Sequence, residues 1–300
     1  MKSNLTKIQS VLIVLKRSKY ELDLEKYGSL ATLKKICQVQ NNCFHKIHSS
    51  HLRQLKSREI LKYTFPKGDF IFRENIRNRN LKNYDLVIAL GGDNHFTYVS
   101  HYTYQNLLLG CNSDPESSVG ALLSFTPKSL KESKEQFWKN TKIENWALIS
   151  SKIEYPNGKK IETVKAVSEI HIRNNSPDLI SRYLIKIGKI LEEQKSSGFL
   201  LYTGAGSTGW VNSCMQTNKK NSTFSKTKSI FRAYSRELGA RYRQKYKLMD
   251  FPVNEKLEII SEMNGGISID SLSERIYDFP AGAKASFQLS KDKLRVLTLR

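Results

Sequence analysis

The sequence predicts an α/β plus β chain: a doubly wound, Rossmann-like α/β domain over residues 1–125 and an antiparallel β-rich domain over 126–300. Three observations predict it. "SVLIVLK" (10–16), "DLVIALGG" (85–92) and "LLLGCNSD" (107–114) are continuous apolar runs. Strands of that kind, buried on both faces and separated by helical stretches, belong to parallel sheets covered by helices. After Pro127 the segments shorten and alternate apolar with polar residues, the pattern of half-buried antiparallel strands. Finally, 300 residues suffice for two ordinary domains, each with its own core.

The elements follow in order. Residues 10–16 read as the first strand. The stretch 20–62 is charged and apolar at helical spacing, with Leu30, Leu33, Ile36 and Cys37 on one face. Residues 85–92 form a second strand stopped by glycines, and 107–114 a third. Residues 128–140 suggest an amphipathic helix. "NWALISSKIEY" and "KKIETVKAVSEIHIRN" flank Pro156-Asn157-Gly158, a hairpin signal. "LISRYLIKIGKIL" continues the β texture. Residues 211–250 read as a basic helical or loop insertion. The last 36 or so residues return to short strands with turns at 265–266 and 280–282, and the final strands are candidates to rejoin the first domain.

Bulk properties exclude some function classes. No apolar run approaches the ~20 residues of a membrane helix. The short run Val11 to Leu15 lacks the flanks of a signal segment, so a cytoplasmic protein without membrane attachment is expected. The four cysteines, Cys37, Cys43, Cys111 and Cys214, have neither CxxC spacing nor histidines at zinc-ligand spacing, so reduced thiols are expected. The formal net charge of +21 points to a solvated basic surface, to nucleic acid, to anionic membrane, or to polyanionic small substrates. The one concentration of charge is 219–247, with ten Lys/Arg against one acid, Glu237.

Three motifs carry candidate chemistry. Gly91-Gly92-Asp93 follows a buried strand. A glycine pair there allows a sharp turn and leaves N–H groups facing an anion, and Asp93 at the lip can take a proton from a hydroxyl, hold a metal through water, or serve as a helix cap. Asn94 tolerates a left-handed turn better than other non-glycine residues. "YTGAGSTGW" (202–210) contains a literal G-x-G-x-x-G in Gly204, Gly206 and Gly209. It is no dinucleotide fingerprint, because no acid and no strand follow about 20 residues later. What remains is a loop of small hydrogen-bonding residues, suited either to close packing on a nucleotide or to a flexible surface. In "AVSEIHI" (166–172), Glu169 sits within an apolar strand of alternating character, where an edge-strand carboxylate would point to solvent. His95, His101 and His171 have no Cys or carboxylate companions at ligand spacing and read as ordinary residues.

Taken together and in this order, the motifs resemble the NAD kinase family, in particular its divergent, mitochondrial-type branch. "DLVIALGGDN" resembles the family's strand and Gly-Gly-Asp-Gly turn, and "GCNSDPESSVGALLSF" that branch's Gly-Val-Asn-Thr-Asp-Pro stretch. "AVSEIHI" falls where the family has Asn-Glu, and "SSGFLLYTGAGSTGW" where most members end in Gly-Ser-Thr-Ala-Tyr. The resemblance spans nearly the whole chain, least in 211–262. It implies transfer of the ATP γ-phosphoryl group to the adenosine-ribose 2′-hydroxyl of NAD, giving NADP. NAD and ATP are then the substrates, and Mg²⁺ arrives with ATP rather than on protein side chains. Asp93 is implied as general base or orienter, with Gly91, Gly92 and Asn94 along the ATP phosphates. Asn112, Phe125, Ser168, Glu169, Ser197, Thr203, Gly206, Ser207, Thr208, Gly209, Trp210 and Ser213 are implied to hold NAD. A homo-oligomer, dimer or tetramer, is also implied. The sequence departs from the family pattern at Asn94-His95 for Gly-Thr, Ser168 for Asn, Ser197 for Asp, and Trp210 for Tyr.

Two other functions compete. A lipid-type kinase shares Gly-Gly-Asp but leaves the Glu169 segment and the 203–210 loop unexplained. A degenerate kinase fold that only binds nucleotide, or nucleic acid through 219–247, would accommodate Asn94-His95; nucleic acid is the less expected partner.

Overall fold

The structure is a computed structural model that describes residues 8–41, 43–132, 139–216, 223–239 and 245–300. The chain divides into two compact units, Met1–Ile143 with Arg295–Arg300, and Glu144–Leu294.

The first unit opens with β1 (Val11–Leu15), α1 (Lys19–Tyr27), α2 (Leu30–Val39) and α3 (Phe44–Thr64). Ser18 caps α1 in a capping box with Glu21, and Gly28 ends it in the left-handed conformation, which is why the 20–62 stretch breaks into separate helices. Leu33 and Cys37 are buried on α2, whereas Leu30, expected on that face, is exposed at the first turn. Then come β2 (Asp69–Phe72), β3 (Leu86–Gly91), α4 (Asp93–Ser100), β4 (Leu107–Asn112), α5 (Pro127–Glu132) and β5 (Thr141–Trp146). Residues 133–138 of the expected 128–140 helix lie outside the described residues. β2 escaped the sequence reading because four residues of one edge strand carry too little periodicity.

The second unit holds β6 (Ile149–Glu154), β7 (Lys160–Glu162), β8 (Glu169–Asn174), β9 (Ser181–Ile187), β10 (Ile190–Ser196), β11 (Gly198–Tyr202), α6 (Trp210–Gln216), β12 (Phe231–Arg236), β13 (Asp250–Val253), β14 (Leu257–Ser261), β15 (Gly265–Ile269), β16 (Ile276–Phe279) and β17 (Lys284–Leu289). The last strand, β18 (Leu294–Leu299), pairs in parallel with β4.

The first unit's sheet has the order β2-β1-β3-β4-β18-β5, with β2, β1, β3 and β4 parallel. Its core joins Ile13, Ile88, Leu90, Leu109 and Leu297 to Leu61 of α3 and Leu130 of α5. The second unit is two six-stranded antiparallel sheets, β10-β9-β14-β17-β6-β7 and β13-β12-β11-β8-β15-β16. Their apolar faces share a core that includes Ile153, Tyr183, Ile259 and Phe287 from one and Ile170, Phe199, Phe231 and Ile267 from the other. The Pro-Asn-Gly turn joins β6 to β7, with Gly158 at φ 83°.

Two expectations fail here. Residues 231–236 are no insertion: β12 is an inner strand between β11 and β13, and its alternation was masked by the arginines Arg232 and Arg236 on its polar face. Residues 217–222 and 240–244 of the 211–250 segment lie outside the described residues. Gly265 and Gly266 form no turn; they begin β15, where a Cβ on Gly265 would lie 3.0 Å from the Arg173 carbonyl oxygen. Close strand approach, not chain reversal, calls for that glycine.

Candidate functional site

The expected site residues fall into two groups, one in each unit. In the first unit, Gly91 ends β3 and Asp93 opens α4. The Asp93 carboxylate accepts from the backbone N–H of Ala121 at 3.0 Å and of Leu122 at 2.9 Å. A carboxylate has roughly four acceptor sites, so each oxygen keeps one for a further donor. Gly92, not Asp93, caps the helix.

The turn works differently from expectation. Neither Gly91 nor Gly92 has positive φ, and Asn94 is an exposed residue of the right-handed α4. Gly91 is glycine because the His95 ring lies where a Cβ would be, 2.7 Å away. The His95 side chain turns inward, and its Nε2 donates to the Val14 carbonyl at 2.9 Å. Burial pushes its imidazole down to about 3, so it is neutral. His95 is therefore a packing residue beneath the glycine turn rather than an obstruction above it.

Asn112 ends β4 in register with Gly91. Its amide donates to the Ser118 carbonyl at 2.8 Å and accepts from the Asp114 N–H at 3.0 Å, shaping the following loop. That loop is anchored to α3: Arg53 makes two hydrogen bonds to Asp114, Ser50 a third, and Ser57 bonds the Ser113 carbonyl at 2.7 Å. Burial opposes the Asp114 charge, but Arg53 and Ser50 outweigh it and hold the carboxyl below its ordinary range. Phe125 lies in the core, and its carbonyl accepts from the Asn112 N–H at 2.7 Å.

In the second unit, Glu169 opens β8 opposite Tyr202, the last residue of β11. This register brings Ser168 and Glu169 beside Thr203 and the small-residue loop. Thr203 is fully buried; its N–H donates to the Ser168 carbonyl at 3.0 Å and its hydroxyl to the Val167 carbonyl at 2.5 Å. Ser207 is equally buried and donates to the Gly204 carbonyl at 2.7 Å. Thr208, Gly209 and Ser213 are exposed, and Trp210 is half-buried. The loop is thus a buried wall with an exposed rim, not a flexible surface loop.

A Cβ on Gly206 would lie 2.1 Å from the Ser168 carbonyl oxygen, whereas one on Gly209 would meet nothing nearer than 3.5 Å. Gly206→Ala is expected to cost about 3 kcal/mol by overpacking, roughly 6–12 °C in thermal midpoint. Gly209→Ala is the control and should stay near wild type. Equal melting of the two variants would remove the packing role of Gly206.

Trp210 lies between two other side chains: edge-on to His171 at 4.4 Å and under the Arg236 guanidinium at 4.8 Å. Ser197 precedes β11, and its N–H bonds the Arg236 carbonyl at 3.2 Å.

Sequence reasoning missed Asp270. It follows β15 with φ 52° and is 2 % exposed. Its carboxylate accepts from the N–H of Val167, Ser168 and Glu169 at 3.0, 2.7 and 3.1 Å. Asp270 so holds the whole 167–169 segment from one side, while Thr203 holds it from the other. Burial first, and then the Asp270 charge, push the Glu169 carboxyl up to about 7, against a single hydrogen bond from Ser271 at 2.7 Å.

That shift makes stability depend on pH. The folded state keeps the Glu169 proton to about 7, while the unfolded chain releases it near 4.5. Raising the pH through that window costs the wild type about 3 kcal/mol. Glu169→Gln does not titrate. Its melting temperature relative to wild type should therefore rise between pH 5 and pH 8, and a gap constant with pH would contradict the shift.

No family model matches the chain. Among curated proteins it is 26% identical over 131 residues to an NAD kinase of Chlorobium phaeobacteroides, covering 43% of this chain and 44% of that protein. It is 22% identical over 251 residues to the mitochondrial NAD kinase 2 of Rattus norvegicus, covering 67% of this chain and 59% of the relative. The matches thus span about half the length of these relatives. Among solved structures, an NAD kinase from Archaeoglobus fulgidus in complex with ATP superposes with TM-score 0.59 at 16% identity, over 97% of this chain and 94% of the other. Yeast NADH kinase complexed with NADH gives TM-score 0.67 at 13% identity, over 98% and 84%. In its fold and in its curated relatives, the chain groups with the NAD kinase family.

Proposed function

We propose that this chain is an NAD kinase, transferring the γ-phosphoryl group of ATP to the 2′-hydroxyl of the adenosine ribose of NAD to form NADP. The observation that carries the proposal is Asp93, fixed by two backbone N–H groups directly after a glycine pair at the carboxyl end of a buried parallel strand. Ligands of doubly wound sheets bind at that edge. Phosphoryl transfer needs positioning and charge neutralisation more than covalent help from the protein. In this reading Asp93 accepts the proton of the 2′-hydroxyl or orients it, through the free acceptor site on one oxygen. Gly91, Gly92 and Asn94 border the phosphates, and Asn112 borders the dinucleotide, with Phe125 holding Asn112 from the core. Ser168, Glu169, Ser197 and the 203–213 segment take the NAD, Glu169 through a ribose hydroxyl. Mg²⁺ travels on the phosphate oxygens, since it keeps much of its water and takes few protein ligands. A homo-oligomer in the cytoplasm belongs to the same proposal.

The test is direct: purified protein, NAD, Mg²⁺ and ATP or inorganic polyphosphate, with NADP read by an NADP-specific dehydrogenase. Formation of NADP is expected. Its absence with both donors would remove the kinase proposal.

A further inference from the structure

We propose that Lys16 and Arg73 form the cationic half of a polyphosphate cradle, beside Gly91-Gly92 on the carboxyl edge of the first unit's sheet. The inference deepens the kinase reading and rests on it for the identity of the donor.

Strand register makes the argument. Leu15 of β1 pairs with Phe72 of β2 and with Leu90 of β3, all in parallel. The next residues on those three strands are Lys16, Arg73 and Gly91, so they stand side by side at one level. Gly91 pairs in turn with Asn112. The carboxyl edge therefore reads Arg73, Lys16, Gly91, Asn112 across four adjacent strands. Two cations continue the row that the glycine turn and Asn112 begin, and α4 starts beside them with its positive dipole end at Gly92-Asp93.

The Lys16 backbone is held firmly. Arg58, largely buried on α3, donates to the Lys16 carbonyl at 3.0 Å and makes two hydrogen bonds to Glu21, at 2.9 and 2.7 Å. Glu21 closes the capping box on Ser18, two residues after Lys16. This fixes the β1–α1 turn and with it the departure point of the Lys16 side chain.

The cations lack strong partners. Lys16 makes no ion pair among the described residues. Among the described residues, Asp114 is the one acid that attracts it, and that carboxylate is committed to Arg53 and Ser50. Among the described residues, Arg73 reaches only Glu74, at 3.9 Å, and it rests over the Tyr98 ring at 4.8 Å. His95, beneath them, is neutral. Burial, and then the Arg73 charge, push the Lys16 ammonium below its ordinary range. Two half-buried cations that repel each other and, among the described residues, are attracted by no uncommitted carboxylate are completed by an anion, and a phosphate chain is the anion this edge of the fold suits.

A phosphate chain occurs in both ATP and inorganic polyphosphate, so the experiment uses both. Wild type, Lys16→Met, Lys16→Arg and Arg73→Met are compared for NADP formation with each donor. Equilibrium binding of inorganic tripolyphosphate is measured without NAD. Lys16→Met should raise the donor KM or lower kcat about 10- to 100-fold, leave the NAD KM unchanged, and weaken tripolyphosphate binding at least about tenfold. Lys16→Arg should recover most of the loss. An effect confined to one donor assigns the cradle to it. Donor kinetics and tripolyphosphate binding within about twofold of wild type in a Lys16→Met protein of normal melting temperature would overturn the proposal. Should Lys16→Met not fold, Arg73→Met carries the same comparison. If the wild type makes no NADP, the kinase reading fails, and tripolyphosphate binding still decides the cradle.

Discussion

Asp93→Asn is expected to lower kcat for NADP formation about 10³-fold, within the ~10²–10⁴ range of a lost general base. The substitution keeps size and shape and removes the proton acceptor proposed for the 2′-hydroxyl. It also disturbs the local bonds in a foreseeable way. The carboxylate now serves Ala121 N–H with one oxygen and Leu122 N–H with the other. An amide can accept at only one, and its NH₂ would oppose the other donor. The cost is about 1–2 kcal/mol, the range for one lost hydrogen bond and one strained donor, and should appear as a modest drop in melting temperature. The two effects separate experimentally. A folded Asp93→Asn protein with kcat within about threefold of wild type would refute the role while leaving the family intact. A fall in kcat with both KM values preserved would place the loss in the chemical step. A rise in the NAD KM alone would make Asp93 a binding group only.

The two-part architecture was legible because its strongest signals are local. Continuous apolar runs mark β1, β3 and β4, and alternation with turn residues marks much of the second unit. Local signals fail where a long-range contact decides. Nothing near Gly91 reveals that its missing Cβ makes room for the ring of His95, because that depends on how α4 folds back over β3. Lys16 and Arg73 are two among 49 Lys+Arg and lie 57 positions apart; only the register of β1 with β2 makes them neighbours. Asp270 stands about a hundred residues from the N–H groups it binds. Its one local mark is an acid directly after an alternating strand, which many turns share. The motif residues were found in sequence because each motif is contiguous; their supporting residues were not, because support comes from other strands.

Asp270 carries the largest expected effect on folding. Its carboxylate is the acceptor for three consecutive backbone N–H groups in a buried place, and its own N–H bonds the Glu169 carbonyl at 2.8 Å. Asp270→Ala strands those donors, each at about 1–3 kcal/mol, and puts alanine at φ 52°, a conformation that Asn and Asp tolerate better. The total loss should reach about 4–5 kcal/mol, the exceptional end of single substitutions. Asp270→Asn separates the causes. It suits the backbone conformation and keeps one acceptor oxygen, so its loss should be roughly half as large. It also removes the charge that helps raise Glu169. Burial remains, so the Glu169 carboxyl should stay above its ordinary range but fall below about 7. Stability as a function of pH then reads out both roles. In Asp270→Asn the decline attributed to Glu169 should begin at the same low pH and level off earlier, at lower pH than in wild type. A variant that melts within about 1 °C of wild type would show that the three N–H groups find other partners. An unchanged pH profile would show that Asp270 does not act on Glu169 through its charge, and its role would then be to hold the 167–169 backbone alone.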